Sequence, residues 1–570
     1  MAARFWVTGG TGNWNSTTNW SATTGGASGA SVPSTSDTAT YDASSGAGTA
    51  TLDISPDVQT LTMTGFTGTL AFGTNTISLN STNVIFTGAT TMTVTGTPQI
   101  ICTNSSATTR TISPTAVTEA NSISFRITAG TGTLGLSSGA YRDLDFTDGI
   151  NPTGFAGNIT STANTIYGNF KASTSGMTRT AGTGTYTFAA TSGTKTINTA
   201  GVTFDNPFTF NGVGGTFQLQ DALTSGATHT CTLTNGTLDL VSYTLTTGAF
   251  SSNNSNTRVL AFGTGKIVLT GNTATIWTNA TGTGFTYTGT SRIEALGPAT
   301  TGQRLLTPST TATSTEATAL NFYITGGSDT VNFSATSRRV NILDFTGFTG
   351  TFTNSNLTVH GNYTLAASPM VVGSGTEITT FATTTSQNIT TNAQTLDFPI
   401  TLNGIGGTFA MQDALTLGST RALTMTNGTL QLKSGTTNTV GSFVTTGTTQ
   451  KFLSATTPGS QATLSDASGT NSVSYLTIQD SAATGGAVFQ SYLSNLNVNS
   501  GNNTGWNFGN VIAGNVITET ATGTDTVASI ATFFNSLQET ATGTDAINGR
   551  PFWDVINNTQ TANWSAVSTT

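Results

Sequence analysis

Residues 211–240, NGVGGTFQLQDALTSGATHTCTLTNGTLDL, return 192 positions later as NGIGGTFAMQDALTLGSTRALTMTNGTLQL, residues 403–432. The two copies agree at 20 of 30 positions. Long, near-verbatim repetition suits architectures in which each unit contacts only its neighbours, because such a fold lengthens by copying a block of units. The exchanges between copies fit that reading. Val213 becomes Ile405, Leu219 becomes Met411 and Leu233 becomes Met425, so these positions are expected to point inward. His229 becomes Arg421 and Asp239 becomes Gln431, so these are expected to face water. A second matching pair, LDFTDGINPTGFAGNITSTANTIYGNF (144–170) and LDFTGFTGTFTNSNLTVHGNY (343–363), is six residues shorter in its second copy. GFTGTLAFGTNTISL at 65–79 is a fainter echo.

The unit is a strand. TLTMTGFTGTLAF (60–72), SLNSTNVIFTG (78–88) and TCTLTNGTLDL (230–240) alternate aliphatic or aromatic residues with Thr, Asn or Gln. That period of two marks half-buried strands, and β-branched Thr suits the pleat. Asn-Gly, Gly-Gly and Gly-Thr-Gly punctuate them as turns. No Pro-rich linker divides the chain before residue 508, so a string of sandwich domains is disfavoured against a continuous solenoid. The expected fold is all-β, a long β-solenoid or β-helix-like rod built from duplicated blocks of coils. Coils of roughly 20 residues stacked ~4.8 Å apart would number about 25 and span about 120 Å.

Composition narrows the function classes. Charged residues make up 7% of the 570, with 17 Lys plus Arg and a net charge of −8. Cations this sparse form no stripe against phosphates, so nucleic acid is not an expected partner. No run approaches ~18 apolar residues, and MAARFWVTGG lacks a signal-peptide core, so neither membrane insertion nor standard export is expected. Cys102 and Cys231 make no disulfide framework, and Cys231 aligns with Leu423 as a small buried hydrophobe.

Three regions are expected. Residues 1–50 hold an aromatic cap, with Trp6, Trp14 and Trp20, and the first coils. Residues 51–508 form the rod, ending in GNNTGWNF with Trp506 and Phe508 as the second cap. Residues 509–570 form a tail in which ETATGTD occurs at 519–525 and 539–545. Within it TVASIATFFNSLQ spaces Val527, Ile530, Phe533, Phe534 and Leu537 as one helix face. That segment, with Trp553 and Trp564, is expected to serve attachment or oligomerisation.

No catalytic constellation stands out, and no enzymatic activity is expected. Glycoside cleavage needs paired carboxylates about 5–10 Å apart. The acids that recur are Asp145 with Asp344, Asp205 with Asp397 and Asp221 with Asp413; duplication suits turn and strand-end hydrogen bonding better than an active site. His229 and His360 are isolated and no calcium-loop motif occurs, so no metal or cofactor is expected.

RFWVTGGTGNWNSTTNWS with GGASGASVPSTSDTATYDA, GGTFQLQDALT, LTNGTLDL, NTRVLAFGTGKIVLTGN (256–272), GNNTGWNF and ETATGTD together resemble large repetitive proteins of tailed, especially marine, bacteriophages. The resemblance covers nearly the whole chain. It implies a structural fibre, spike or head-decoration protein on the virion surface, assembled in the cytoplasm of a bacterial host. The partners it implies are other virion proteins and the chain itself, as a homotrimer. Two other classes stay open: a receptor-binding fibre that recognises a host-surface glycan through its Thr/Asn face, and a secreted adhesin or filament subunit, against which the missing signal peptide counts.

Overall fold

Strands of the form Thr-X-Thr set the pattern. Thr38–Thr40, Thr60–Thr62 and Thr49–Thr51 each bury the central Ala or Leu and leave both threonines half-exposed. A computed structural model describes residues 2–509 apart from 8, 90, 116–117, 272–274, 298–301, 311–314 and 335–336, together with 526–527 and 546–547. Strands stack in parallel on the matching strand of the next coil: Thr38 faces Thr60, Leu61 faces Phe86 and Gly135 faces Thr160. The chain is a β-solenoid of about 20 coils. At ~4.8 Å per coil the rod is on the order of 95 Å long. Coils are fewer and larger than the expected 20 residues, because the register advances by 22 to 25 residues at these three pairs.

Inward side chains form one hydrophobic core that runs from Trp6 to Trp506. Stacks of rings fill long stretches of it. Phe188, Phe210 and Phe217 lie 5.4–6.0 Å apart, and Trp277 stacks on Phe250 at 4.8 Å. Each fully buried Phe or Leu contributes about 2–3 kcal/mol by area removed from water.

The duplicated blocks fold alike. Phe208–Leu219 and Ile400–Met411 are 12-residue strands that run round a corner of the coil. Each pairs with two shorter strands of the preceding coil: Tyr186–Phe188 and Thr194–Asn198 in one copy, Thr379–Phe381 and Ser386–Thr390 in the other. Both then slip register at the same point, where Asn211 faces Asn235 and Asn403 faces Asn427. In each pair one amide donates to the other's carbonyl oxygen, at 2.7 and 2.8 Å. Leu219, Leu233, Met411 and Met425 are buried as expected. Val213 and Ile405 are not: they are 67% and 73% exposed, because the extra corner residues between the paired stretches turn this position outward.

Glycine at this corner is a matter of space. A Cβ on Gly404 or Gly407 would overlap the carbonyl oxygen of Thr383 in the coil beneath, whereas Gly406, at φ +77°, has nothing near it. Gly404→Ala and Gly407→Ala should therefore each lower stability by about 2 kcal/mol or more through overpacking. Gly406→Ala should cost about 1–2 kcal/mol, from its left-handed backbone alone. Chemical denaturation of the three variants checks that order.

The expected tail helix meets a strand instead. Thr526–Val527 pairs in parallel with Ala546–Ile547, in keeping with the β-branched residues at its start. The remainder of that segment, with Ile530, Phe533, Phe534 and Leu537, lies outside the described residues, as do Trp553 and Trp564.

Candidate functional site

The two ends differ. At the N-terminal end, Trp6, Trp14 and Trp20 are 1%, 0% and 0% exposed and meet edge to face at 4.9–5.2 Å, with Trp6 stacked on Tyr41. Trp20 donates its indole N–H to the Trp14 carbonyl and Trp6 to that of Gly10. Trp20–Ser21 runs antiparallel beside Ala3–Trp6, the one antiparallel strand pair among the described residues, and ends the ladder. Buried on all sides, these rings offer no stacking platform. At the C-terminal end Trp506 packs on Phe489 at 5.1 Å, with Phe508 partly buried beside the core.

The repeated acids serve the backbone. Asp221 accepts from Thr199 N, Thr199 Oγ1 and Gly201 N, and Asp413 from Thr391 N, Thr391 Oγ1 and Asn392 N. Asp145 and Asp344 each accept the amide two residues on, Thr147 and Thr346. Three of these acids also meet a basic side chain: Asp145 lies 3.1 Å from Arg126, Asp205 3.1 Å from His229, and Asp397 2.7 Å from Arg421. Position 229 is thus selective for a partner to the carboxylate and not merely polar. His229→Arg installs the pairing of the other copy and should leave the melting temperature unchanged. Asp205→Ala removes it and should cost roughly 0–1 kcal/mol, the scale of an exposed pair.

One duplicated contact has no counterpart in the expectations. The short 3-10 turns Glu119–Asn121 and Glu316–Thr318 each send a glutamate along the outside of the rod. Glu119 accepts from Thr191 N and Thr191 Oγ1, at 3.2 and 2.5 Å. Glu316 accepts from Thr384 N, Thr384 Oγ1 and Thr383 Oγ1, at 2.9–3.2 Å. Between Glu119 and Thr191 the chain climbs three coil steps, through the strands Gly139–Asp145, Asn164–Ile166 and Tyr186–Phe188. Each glutamate is therefore an axial strut. The signal was present in the sequence: TEANSISFRIT (118–128) and TEATALNFYIT (315–325) match at Thr, Glu, Ala, Phe, Ile and Thr. His360, near the second strut, hydrogen-bonds through Nδ1 to the Ala382 carbonyl, and burial holds its pKa below the usual histidine value.

Outward hydroxyls align as well. Thr165, Thr187, Thr209, Thr232, Ser251, Thr278 and Thr307 face one another in turn up seven coils, all half-exposed. This uncharged ridge repeats every ~4.8 Å. Elsewhere Phe452, 46% exposed, lies in a shallow depression with Thr429, Leu453, Ser454, Thr477 and Gln479. Among the described residues no group of three or more His, Cys, Asp or Glu could hold a metal ion, and no helix is long and apolar enough to cross a membrane. Cys102 and Cys231 are buried free thiols, pushed up by burial, Cys102 to about 12. Comparison of the chain with protein-family models, curated proteins and solved structures finds no match.

Proposed function

We propose that this chain is a structural rod on the surface of a tailed-bacteriophage virion, a fibre, spike or head-decoration component assembled in the host cytoplasm. The observation that carries the reading is the unbroken stack of coils around a single core from Trp6 to Trp506, with the N-terminal end closed by its own tryptophans. A stiff element of fixed length is what such a stack supplies, and the duplicated blocks are the means by which it reached that length. The resemblance of its motifs to marine phage proteins supplies the setting, the virion partners and the trimeric state. The test is negative-stain imaging of the purified chain beside particles from its source, with an antibody to residues 509–570 marking one end. Rods of ~95 Å with one marked end buried against a particle are expected; free filaments unattached to any particle would point to an extracellular filament or adhesin.

A second reading has its own support. The ridge from Thr165 to Thr307 is uncharged, half-exposed and periodic, which suits an uncharged, repeating, hydroxyl-rich ligand such as a host-surface polysaccharide. If the ridge binds glycan, Thr209→Lys with Thr232→Lys should abolish adsorption to host cells without altering rod length. Unchanged adsorption would leave the bracing role alone.

A further inference from the structure

The second strut carries a titratable side chain that the first lacks. The duplicated segments TIYGNF (165–170) and TVHGNY (358–363) put Tyr167 and His360 at the same place, directly after a ladder strand. The backbone there is alike: Tyr167 N donates to the Tyr141 carbonyl and Gly168 N to that of Arg142, as His360 N does to Val340 and Gly361 N to Asn341. Each ring also feels its strut's carboxylate, Tyr167 that of Glu119 and His360 that of Glu316. Burial, and then Glu119, push the Tyr167 phenol up, so it stays neutral at physiological pH. A histidine is the one side chain whose ordinary titration falls in that range.

His360 is 5% exposed. Its Nδ1 hydrogen-bonds to the Ala382 carbonyl, and its Nε2 is buried with no hydrogen-bond partner. A carbonyl oxygen only accepts, so the ring's one proton sits on Nδ1, and a second would make Nε2 a buried donor without an acceptor. Two charged groups face the ring. Arg339, on the strand Arg338–Val340 of the preceding coil, repels an imidazolium, and Glu316, on the turn Glu316–Thr318, attracts one. The Glu316 carboxylate is already taken up by Thr383 Oγ1, Thr384 N and Thr384 Oγ1. Burial outweighs its pull, and the ring favours the neutral form.

We infer that protonation of His360 opens the rod at the second strut, between the paired strands Leu357–Val359 and Thr379–Phe381, and leaves the first strut closed. His360 ends the first of these strands and bonds to Ala382, which ends the second and leads straight to the two threonines that Glu316 holds. The closed joint favours the neutral ring, whereas an open, hydrated joint accepts both forms. The contribution of His360 is therefore complete above about pH 6.5 and is lost progressively as the pH falls below it. In the first copy the same acidification meets a tyrosine, so only carboxylates can respond there. The inference concerns the chain alone and holds whatever the rod is attached to.

Hydrogen exchange with mass spectrometry on the full chain tests it, at about pH 7.5 and about pH 5, either side of the usual histidine value, with each rate corrected for its intrinsic pH dependence. Protection of Leu357–Val359 and Thr379–Phe381 should fall about fivefold or more at the lower pH, and that of the matching strands Asn164–Ile166 and Tyr186–Phe188 by less than about twofold. Equal falls in the two blocks, which carboxylates alone would produce, or no fall at all, overturn the inference. His360→Tyr, the residue of the first copy, should remove the difference between the blocks, and His360→Gln is the second uncharged replacement. A difference that persists in both variants overturns the inference. A variant that fits its site less well loses protection at both pH values, so the ratio between them still decides.

Discussion

Leu233→Asp, and equally Met425→Asp, should abolish soluble expression of the rod. Both side chains are 0% exposed, and in their ladders they face Phe210 and Leu402 of the preceding coil. Removing the leucine forfeits about 2–3 kcal/mol of burial. The new carboxylate adds several kcal/mol, the cost of taking a charge out of water. A coil is held only by its two neighbours, so a loss on the order of 5 kcal/mol or more is not spread over the molecule but opens the stack locally. Soluble yield, with limited proteolysis to map cleavage near residue 233, measures the effect. Val213→Asp and Ile405→Asp, at the outward corner positions, are the controls and should change stability by no more than ~0.5 kcal/mol. Equal loss at inward and corner positions would overturn the register.

Asp329→Ala should be the most damaging change at a charged residue. Arg304 and Asp329 are buried, with side chains 1% and 6% exposed. The guanidinium donates through Nε and Nη2 to the two carboxylate oxygens at 2.7 and 2.8 Å, and Nη2 donates again to the Gly326 carbonyl. Deleting the carboxylate leaves a guanidinium in the interior without its counter-charge, at a cost of about 3–5 kcal/mol. Replacing both residues with apolar ones of similar volume, Arg304→Met with Asp329→Leu, should recover most of that loss, because the pair's own desolvation is then removed too. Thermal unfolding of the three variants decides it. A single variant as stable as the parent would mean that Arg304 finds other partners.

Some buried charge is held with no carboxylate at all. Arg258, 0% exposed, donates to Ser252 Oγ and to the carbonyls of Ser252, Asn256, Thr281 and Thr283, at 2.6–2.9 Å. It ties together loops of successive coils by the main-chain acceptors that a corner leaves free. Nothing in NTRVLAFG distinguishes this arginine from a solvated one, since most of its partners are backbone carbonyls and two of these lie 23 and 25 residues away.

The sequence by itself determined the strands, the solenoid, the duplicated blocks and the turn-binding role of Asp145 and Asp344. These rest on local periodicity and on short-range hydrogen bonding, which a single strand or turn already contains. Tertiary structure decided the rest: the larger coil, the outward turn of Val213 and Ile405, the struts from Glu119 and Glu316, the inward arginines, and the closing of the N-terminal end. Each depends on which residues the stacking brings together across coils. That register is set by the closing of the whole coil, and so it exists only once the coils are stacked.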